Sequence, residues 1–439
     1  MINKIIQILK GKSIASPLLN QGIIFGSNLL VFAFITRLFS AQELGSYIVF
    51  LTISSVLELT RNGLVQNGLI KFSTENPDEK TKIRTAGLLL YIAISLLIYL
   101  VMLSIGYLSS SFFPEYAILT LSQNYWIILL GPGLMYFLSI LLQSEEKHNH
   151  VSIINFRWYG GIFIGMGAFY IWNQSLNPYQ LQWIYGFAGF AAFLIAVKQN
   201  PGLLSIQLPG KTWIVKLINF GKYVFGTNLL SMMMNKTDIL MLTIFSNPFS
   251  VAVYHVAFKV SNYLEIPLNA AAQYYFPKIA GSAGSKPETE RLLHQSVALQ
   301  LSMTLPIIVL LFIFSREVVT LIGGQIYAEQ ATILLRILLF GAIIKPVGRS
   351  TGILLDAINK PKVNFTLLVG SIILNVVLNA ILIRFYGAFG VAMATVTSIW
   401  LTIGAGQYYL RPFIRFSFVK AFYAALNNYK KSNLKKVWN

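Results

Sequence analysis

Eleven charged side chains interrupt runs of sequence that are otherwise apolar, and they are the groups with chemistry to offer. The cations are Arg37, Arg61, Arg157, Lys236, Lys259, Arg336, Lys345 and Arg349; the acids are Glu58, Asp238 and Glu265. A charge at bilayer depth is costly and usually faces a cavity, a partner or a water-filled path. Arg37 and Arg336 lie near outer helix ends and can snorkel to the interface, while Arg157 and Arg349 lie near cytoplasmic ends. Arg61, Lys236, Lys259 and Lys345 lie deeper; Arg61 is roughly 22 Å, and Lys259 roughly 10 Å, from the outer end of its own helix. Lys345 and Arg349 are four apart and share a helix face beside a kink expected at Pro346. Glu58 and Arg61 are three apart and can pair with each other.

Two readings follow. Either the cations line a path for cargo, or they form ion pairs that join helices. As a path, eight cations against three acids suit an anionic cargo such as a diphosphate. Arg61, Lys236, Lys259, Lys345, Arg349 and Arg157 are then the candidate ligands. Glu58, Asp238 and Glu265 are candidates for ion pairing or for a proton or Na⁺ coupling site. A path for cationic drugs would be acid-rich instead; a cation-coupled multidrug antiporter, with Asp238 or Glu58 as its coupling acid, is the alternative.

Other chemistry finds no support. The chain has no cysteine, hence no disulfide, thiolate nucleophile or Cys-ligated metal. Gly210-Lys211-Thr212 resembles the end of a phosphate-binding loop, but Ser205 stands where the leading glycine must be. His148, His150, His255 and His294 lack the spacing of a metal site, and Glu145 and Glu146 read as solvated loop charge. No cofactor is expected. A glycan-polymerizing enzyme would need catalytic groups on a sizeable outer loop, and the outer connections here are short and poor in polar groups.

The elements that carry these residues are membrane helices. Of 439 residues 55% are hydrophobic and 11% charged, against about 25% charged in soluble domains. A helix needs about 20 apolar residues to cross a bilayer. Twelve such runs are predicted, at 17–38, 46–68, 86–108, 118–142, 151–172, 180–197, 217–244, 252–275, 293–315, 331–355, 363–383 and 388–410. With both termini placed in the cytoplasm, the cytoplasmic segments hold 24 Lys and Arg, counting Lys222 at the edge of the seventh run, and the outer loops hold two. The net charge of +19 is therefore a topology signal, and nucleic acid is not an expected partner. Membrane lipids are.

The chain uses one stretch twice. FGSNLL (Phe25 to Leu30) returns as FGTNLL (Phe225 to Leu230). Seven identities then share an offset of 207: Tyr47/Tyr254, Val49/Val256, Ser54/Ser261, Leu57/Leu264, Glu58/Glu265, Gln66/Gln273 and Lys71/Lys278. Convergence of apolar helices would not reproduce the polar positions. Six spans separate the copies, so the halves share one orientation. The expectation is a six-helix lobe at 1–210, a second at 211–410 after the breakers Pro201, Gly202, Pro209 and Gly210, and function between them. The start MINKIIQILKGKS is basic and amphipathic without a small-residue cleavage site, the apolar run from Pro17 is expected to serve as an uncleaved insertion signal, and a basic aromatic tail at 411–439 is expected on the cytoplasmic membrane surface.

The segment TRLFSAQELGSYIVF (Thr36 to Phe50) resembles the turn after the first helix of polysaccharide and O-antigen flippases, in the multidrug/oligosaccharidyl-lipid/polysaccharide exporter superfamily. NKTDILML around Asp238, Val253 to Ala280, LLDAINKPK (Leu354 to Lys362) and YGAFGVAMATVTS (Tyr386 to Ser398) continue the pattern in order. The resemblance implies an all-α membrane protein of two parallel-repeat six-helix bundles around a central cavity. It implies export of a polyprenyl-diphosphate-linked oligosaccharide across a bacterial inner membrane by alternating access, for surface polysaccharide assembly. A polymerase and glycosyltransferases are the protein partners it implies. It assigns no binding residue by itself.

Overall fold

A computed structural model describes residues 15–173, 176–282, 285–358 and 360–430. The basic start at 1–14 and the last part of the tail, 431–439, lie outside the described residues. All twelve predicted runs fall on helix. Segments one to three are Ala15–Leu38, Ala41–Glu75 and Lys80–Phe112. Segment four is built from Ile118–Gln123, Tyr125–Ile128, a π turn Leu129–Gly133 and Leu134–Gln143. Segments five to seven are His148–Asn173, Pro178–Gln199 and Lys211–Phe245. Segment eight is split into Pro248–Asn262 and Glu265–Gly281, and segment nine is Lys286–Ile313. Segment ten is split into Ala328–Ala342 and Lys345–Ala357. Segments eleven and twelve share Pro361–Leu410 on either side of Gly387, whose φ of 55° ends one helix and starts the next. A last helix, Phe418–Lys430, carries the tail.

Eight described stretches are long and apolar enough to cross a membrane, the last of them spanning both segments around Gly387. Segments five, seven and eight are absent from those eight; they carry Arg157, Lys236, Asp238, Lys259 and Glu265. The protein is an all-α, multi-pass membrane protein.

The chain divides into two compact units, Met1–Asn235 and Lys236–Asn439. In the first unit the opening half of segment seven packs on segment two through glycine: a Cβ at Gly221 would meet the Leu64 carbonyl at 2.3 Å, and one at Gly63 would meet Phe225 Cα at 2.8 Å. The same device holds segment six against the broken part of segment four. A Cβ at Gly131 would lie 2.0 Å from the Gly186 carbonyl oxygen, and one at Gly189 2.5 Å from Pro132 N. Backbones approach this closely only where both faces are small. The core of this unit gathers Val65, Leu69, Ile83, Phe137, Leu141 and Leu217.

The sequence repeat has a structural counterpart at the helix starts. Segment two begins after the N-cap Ser40, whose Oγ accepts from Glu43 N–H, and Glu43 returns the bond to the cap. Segment eight begins after the N-cap Asn247, whose side chain accepts from Ser250 N–H, with Pro248 as first helical residue. Cap, first residue and third residue each obey the offset of 207.

Glu145 departs from its expected solvated state. In the turn between segments four and five it accepts from Lys80 Nζ at 2.8 Å and from Arg84, with Lys147 Nζ at 3.4 Å. Hydrogen bonds from Lys80 and Arg84 hold its carboxyl at about 2. A lowered folded-state value means that the pairing stabilises the fold above the ordinary carboxylate range and loses that effect as the pH falls toward 2.

Two outcomes are expected. Ala at Gly131 overpacks the contact between segments four and six, costing about 1–3 kcal/mol; the melting temperature in detergent should fall by several degrees. Ala at Gly160, where a Cβ meets nothing within 4 Å, should not lower it. Equal melting of the two variants would contradict the packing. Glu145→Gln should melt below the native chain at pH 7, with the gap unchanged to pH 5 and closing below about 4.5, the ordinary value. A gap that widens on acidification would contradict the assignment.

Candidate functional site

The second unit brings three predicted residues into one site. Segment eight stops at Asn262; Tyr263 and Leu264 N–H groups donate to Val260 and Ser261 carbonyls, and helix resumes at Glu265. Segment ten stops at Ala342 and resumes at Lys345, because Pro346 has no N–H to give an upstream carbonyl. Both breaks therefore place a charged residue on the first turn of a new half-helix. Glu265 suits the positive end of its helix dipole; Lys345 opposes its own and needs a compensating anion. Glu265 supplies it. Lys345 Nζ donates to Oε1 at 2.8 Å, and Arg349 Nη2, one turn further on, donates to Oε2 at 2.7 Å. Two cations on one carboxylate leave a net positive charge. The site is open: the Arg349 side chain is 42% exposed, against 24% for Glu265. The remaining guanidinium N–H groups can take a second, bidentate oxyanion.

The corresponding acid of the first unit is used differently. Glu58 is bonded to Arg61 on its own helix and accepts from Tyr125 O–H at 2.8 Å. Arg61 Nη1 also donates to Ser95 Oγ at 3.2 Å, and the guanidinium lies 4.4 Å from the Tyr91 ring centre. Tyr91 O–H donates to the Gly133 carbonyl at 2.7 Å, inside the π turn that Pro132 interrupts. The Arg61 side chain is 4% exposed. This pair braces the break in segment four; its arginine is walled in, while Glu58 is 21% exposed.

Asp238 is buried with neutral partners drawn from three other segments. Tyr254 O–H and Thr395 O–H donate to Oδ2 at 2.6 and 2.7 Å, and Asn379 Nδ2 donates to Oδ1 at 3.0 Å. Asn379 Nδ2 also reaches Asn375 Oδ1 at 3.0 Å. Lys236 and Lys259 form another group with His255, each half-buried and close enough for the lysine charges to act on the imidazole and on one another. Lys259 stands in the last turn of its half-helix, the end that favours a cation.

The remaining predicted cations lie apart from these groups. Arg157 Nη1 donates to Gln199 Oε1 at 2.7 Å and ties segment five to the end of segment six. Arg37 Nη1 donates to the Ala33 carbonyl at 2.5 Å, and Arg336 Nε to Ser315 Oγ at 2.8 Å. Tyr254 was visible in the sequence as a repeat position. Asn379 and Thr395, 141 and 157 residues from Asp238, carried no signal that tied them to it.

Comparison with known proteins gives the family. The probable low-salt glycan biosynthesis flippase Agl15 of Haloferax volcanii is 22% identical over 407 residues, covering 90% of this chain and 82% of its own. An inward-facing multidrug resistance MATE family transporter of the MOP superfamily superposes with a TM-score of 0.71 at 14% identity, over 88% of this chain and 93% of its own. The lipid II flippase MurJ, in an inward closed conformation, superposes with a TM-score of 0.67 at 15% identity, over 96% and 93%. These structures share the fold. Residues 34–332 match the family described as polysaccharide biosynthesis protein, and the chain belongs to that family.

Proposed function

We propose that the protein is a flippase that carries a polyprenyl-diphosphate-linked oligosaccharide from the cytoplasmic to the outer leaflet of a bacterial inner membrane, by alternating access, for surface polysaccharide assembly. It moves the glycan and does not synthesise it. The observation that carries this reading is the open Glu265–Lys345–Arg349 site, a cationic surplus on two adjoining helix breaks. A diphosphate oxygen pair fits the guanidinium fork of Arg349, and Lys345 adds a point charge. Lys236 and Lys259 supply further positive charge in the same unit. The lipid tail stays in the bilayer while the sugar head crosses. With the cytoplasm negative, each exported negative charge is favoured by about 2.3 kcal/mol per 100 mV. Both termini face the cytoplasm, the lobes at 1–210 and 211–410 are the moving parts, and a polymerase and glycosyltransferases are the partners on either side of the step.

A second reading has its own observation. Among the described residues, Asp238 is a buried carboxylate held by hydroxyl and amide donors, a place where H⁺ or Na⁺ can neutralise the charge. In the flippase this is the coupling site; in a multidrug antiporter of the same fold it would be the drive for drug export.

Arg349→Ala and Lys345→Ala each remove a charge-assisted contact of about 1.5–3 kcal/mol, so transport at limiting substrate should fall roughly tenfold to a hundredfold. Arg336→Ala should transport normally. Arg61→Ala should instead lower the amount of folded protein, since it strips the brace from segment four. The checks are complementation of surface polysaccharide in a deletion strain and membrane level by immunoblot. Normal transport by both site variants at normal level would refute the site, and drug resistance without polysaccharide rescue would favour the antiporter.

A further inference from the structure

The tail is seated on segment nine, in a core cluster that the half-helix carrying the site also joins. From Arg411 to Asn439 the chain has seven Lys and Arg and no acid. Its first part is tied to segment nine by two backbone bonds. Arg415 N–H donates to Glu290 Oε1 at 2.8 Å, and Ser417 N–H donates to His294 Nε2 at 3.1 Å. His294 Nδ1 lies 2.6 Å from the Glu290 carbonyl, so the ring carries its proton there and leaves Nε2 free to accept. Phe416 stacks on the same imidazole at 5.1 Å. The helix Phe418–Lys430 then buries Ala421 and Ala425 against Val297, Ala298, Leu301 and Val347. Val347 lies between Lys345 and Arg349 in sequence, on the half-helix that bears both.

The opposite face of this helix is exposed among the described residues. Val419, Tyr423 and Leu426 recur at i, i+4 and i+7 and are 61%, 63% and 37% exposed. Arg411, Arg415 and Lys420 flank them and are exposed. An apolar stripe edged by cations, on a stretch without acids, complements an anionic lipid surface.

We propose that the tail helix is a docking surface for an anionic leaflet, and that the core cluster on segment nine that it shares with Val347 transmits docking to the Lys345–Arg349 half-helix. The tail then reports membrane charge to the site. The docking half stands independently of the flippase reading; the importance of the coupled site rests on it.

The chain has no native cysteine, so single reporters carry no background. The full-length Tyr423→Cys variant, labelled with an environment-sensitive fluorophore, is reconstituted in phosphatidylcholine vesicles with or without 30% (about one third) phosphatidylglycerol. Its emission should shift to the blue with the anionic lipid. Replacing Arg411, Arg415 and Lys420 by Gln should abolish that shift, each charge being worth roughly fivefold in surface affinity. In parallel, Arg349→Cys is modified with a charged, water-soluble thiol reagent. Its rate should change by about threefold or more between the two vesicle types, and the change should vanish when the three tail cations are Gln. No blue shift, or a shift untouched by the triple variant, overturns docking by charge. A normal shift with an unchanged Arg349→Cys rate overturns the coupling. Neither readout uses transport, so failure of the flippase reading would appear separately, as loss of polysaccharide complementation.

Discussion

A charge or a broken helix at bilayer depth must find its partners within the protein, because lipid offers none. The placement of every intramembrane acid follows from that constraint. Glu58 answers Arg61, Glu265 answers Lys345 and Arg349, and Asp238 is answered by three neutral donors. The helix breaks obey the same rule. The π turn at Leu129–Gly133 is bonded by Tyr91 and closed over by the glycines of segment six, so its irregular backbone is covered by protein.

The repeat shows one frame serving two purposes. The caps Ser40 and Asn247 and the acids Glu58 and Glu265 occupy equivalent positions. In the first unit the cation comes from the same helix, three residues on, and is walled in. At the position equivalent to Arg61 the second unit has Leu268, which is buried. Glu265 must take its cations from segment ten, and with them comes an opening. The acid thus occurs at both positions related by the offset of 207, and with Leu268 where Arg61 would fall, the second acid holds a cationic pair of which Arg349 is exposed.

Much of this was legible in the sequence. Helix positions followed from apolar runs, since a bilayer admits few alternatives. The pairing of Glu58 with Arg61 followed from a spacing of three, and the shared face of Lys345 and Arg349 from a spacing of four. Openness was not legible. Arg61 and Arg349 are the same residue type in similar apolar surroundings, and only the fold distinguishes a walled-in guanidinium from an exposed one. Partners far apart in the chain were equally hidden: Asn379 and Thr395 reach Asp238, and Arg84 reaches Glu145, through packing that no local period records. The break at Ile343–Ile344 was expected from Pro346; that at Tyr263–Leu264 lies just before Pro267, which has no N–H for the Tyr263 carbonyl, a signal the sequence reading missed.

The central claim is that Glu265, Lys345 and Arg349 form a site for a diphosphate. The most direct test is equilibrium binding of polyprenyl diphosphate and polyprenyl monophosphate to the purified protein, with Arg349→Gln beside the native chain. The native protein should prefer the diphosphate by about tenfold, one charge-assisted contact of roughly 1.4 kcal/mol, and Arg349→Gln should bind both lipids alike. Equal affinity of the native protein for the two lipids, or a preference that survives Arg349→Gln, would contradict the account.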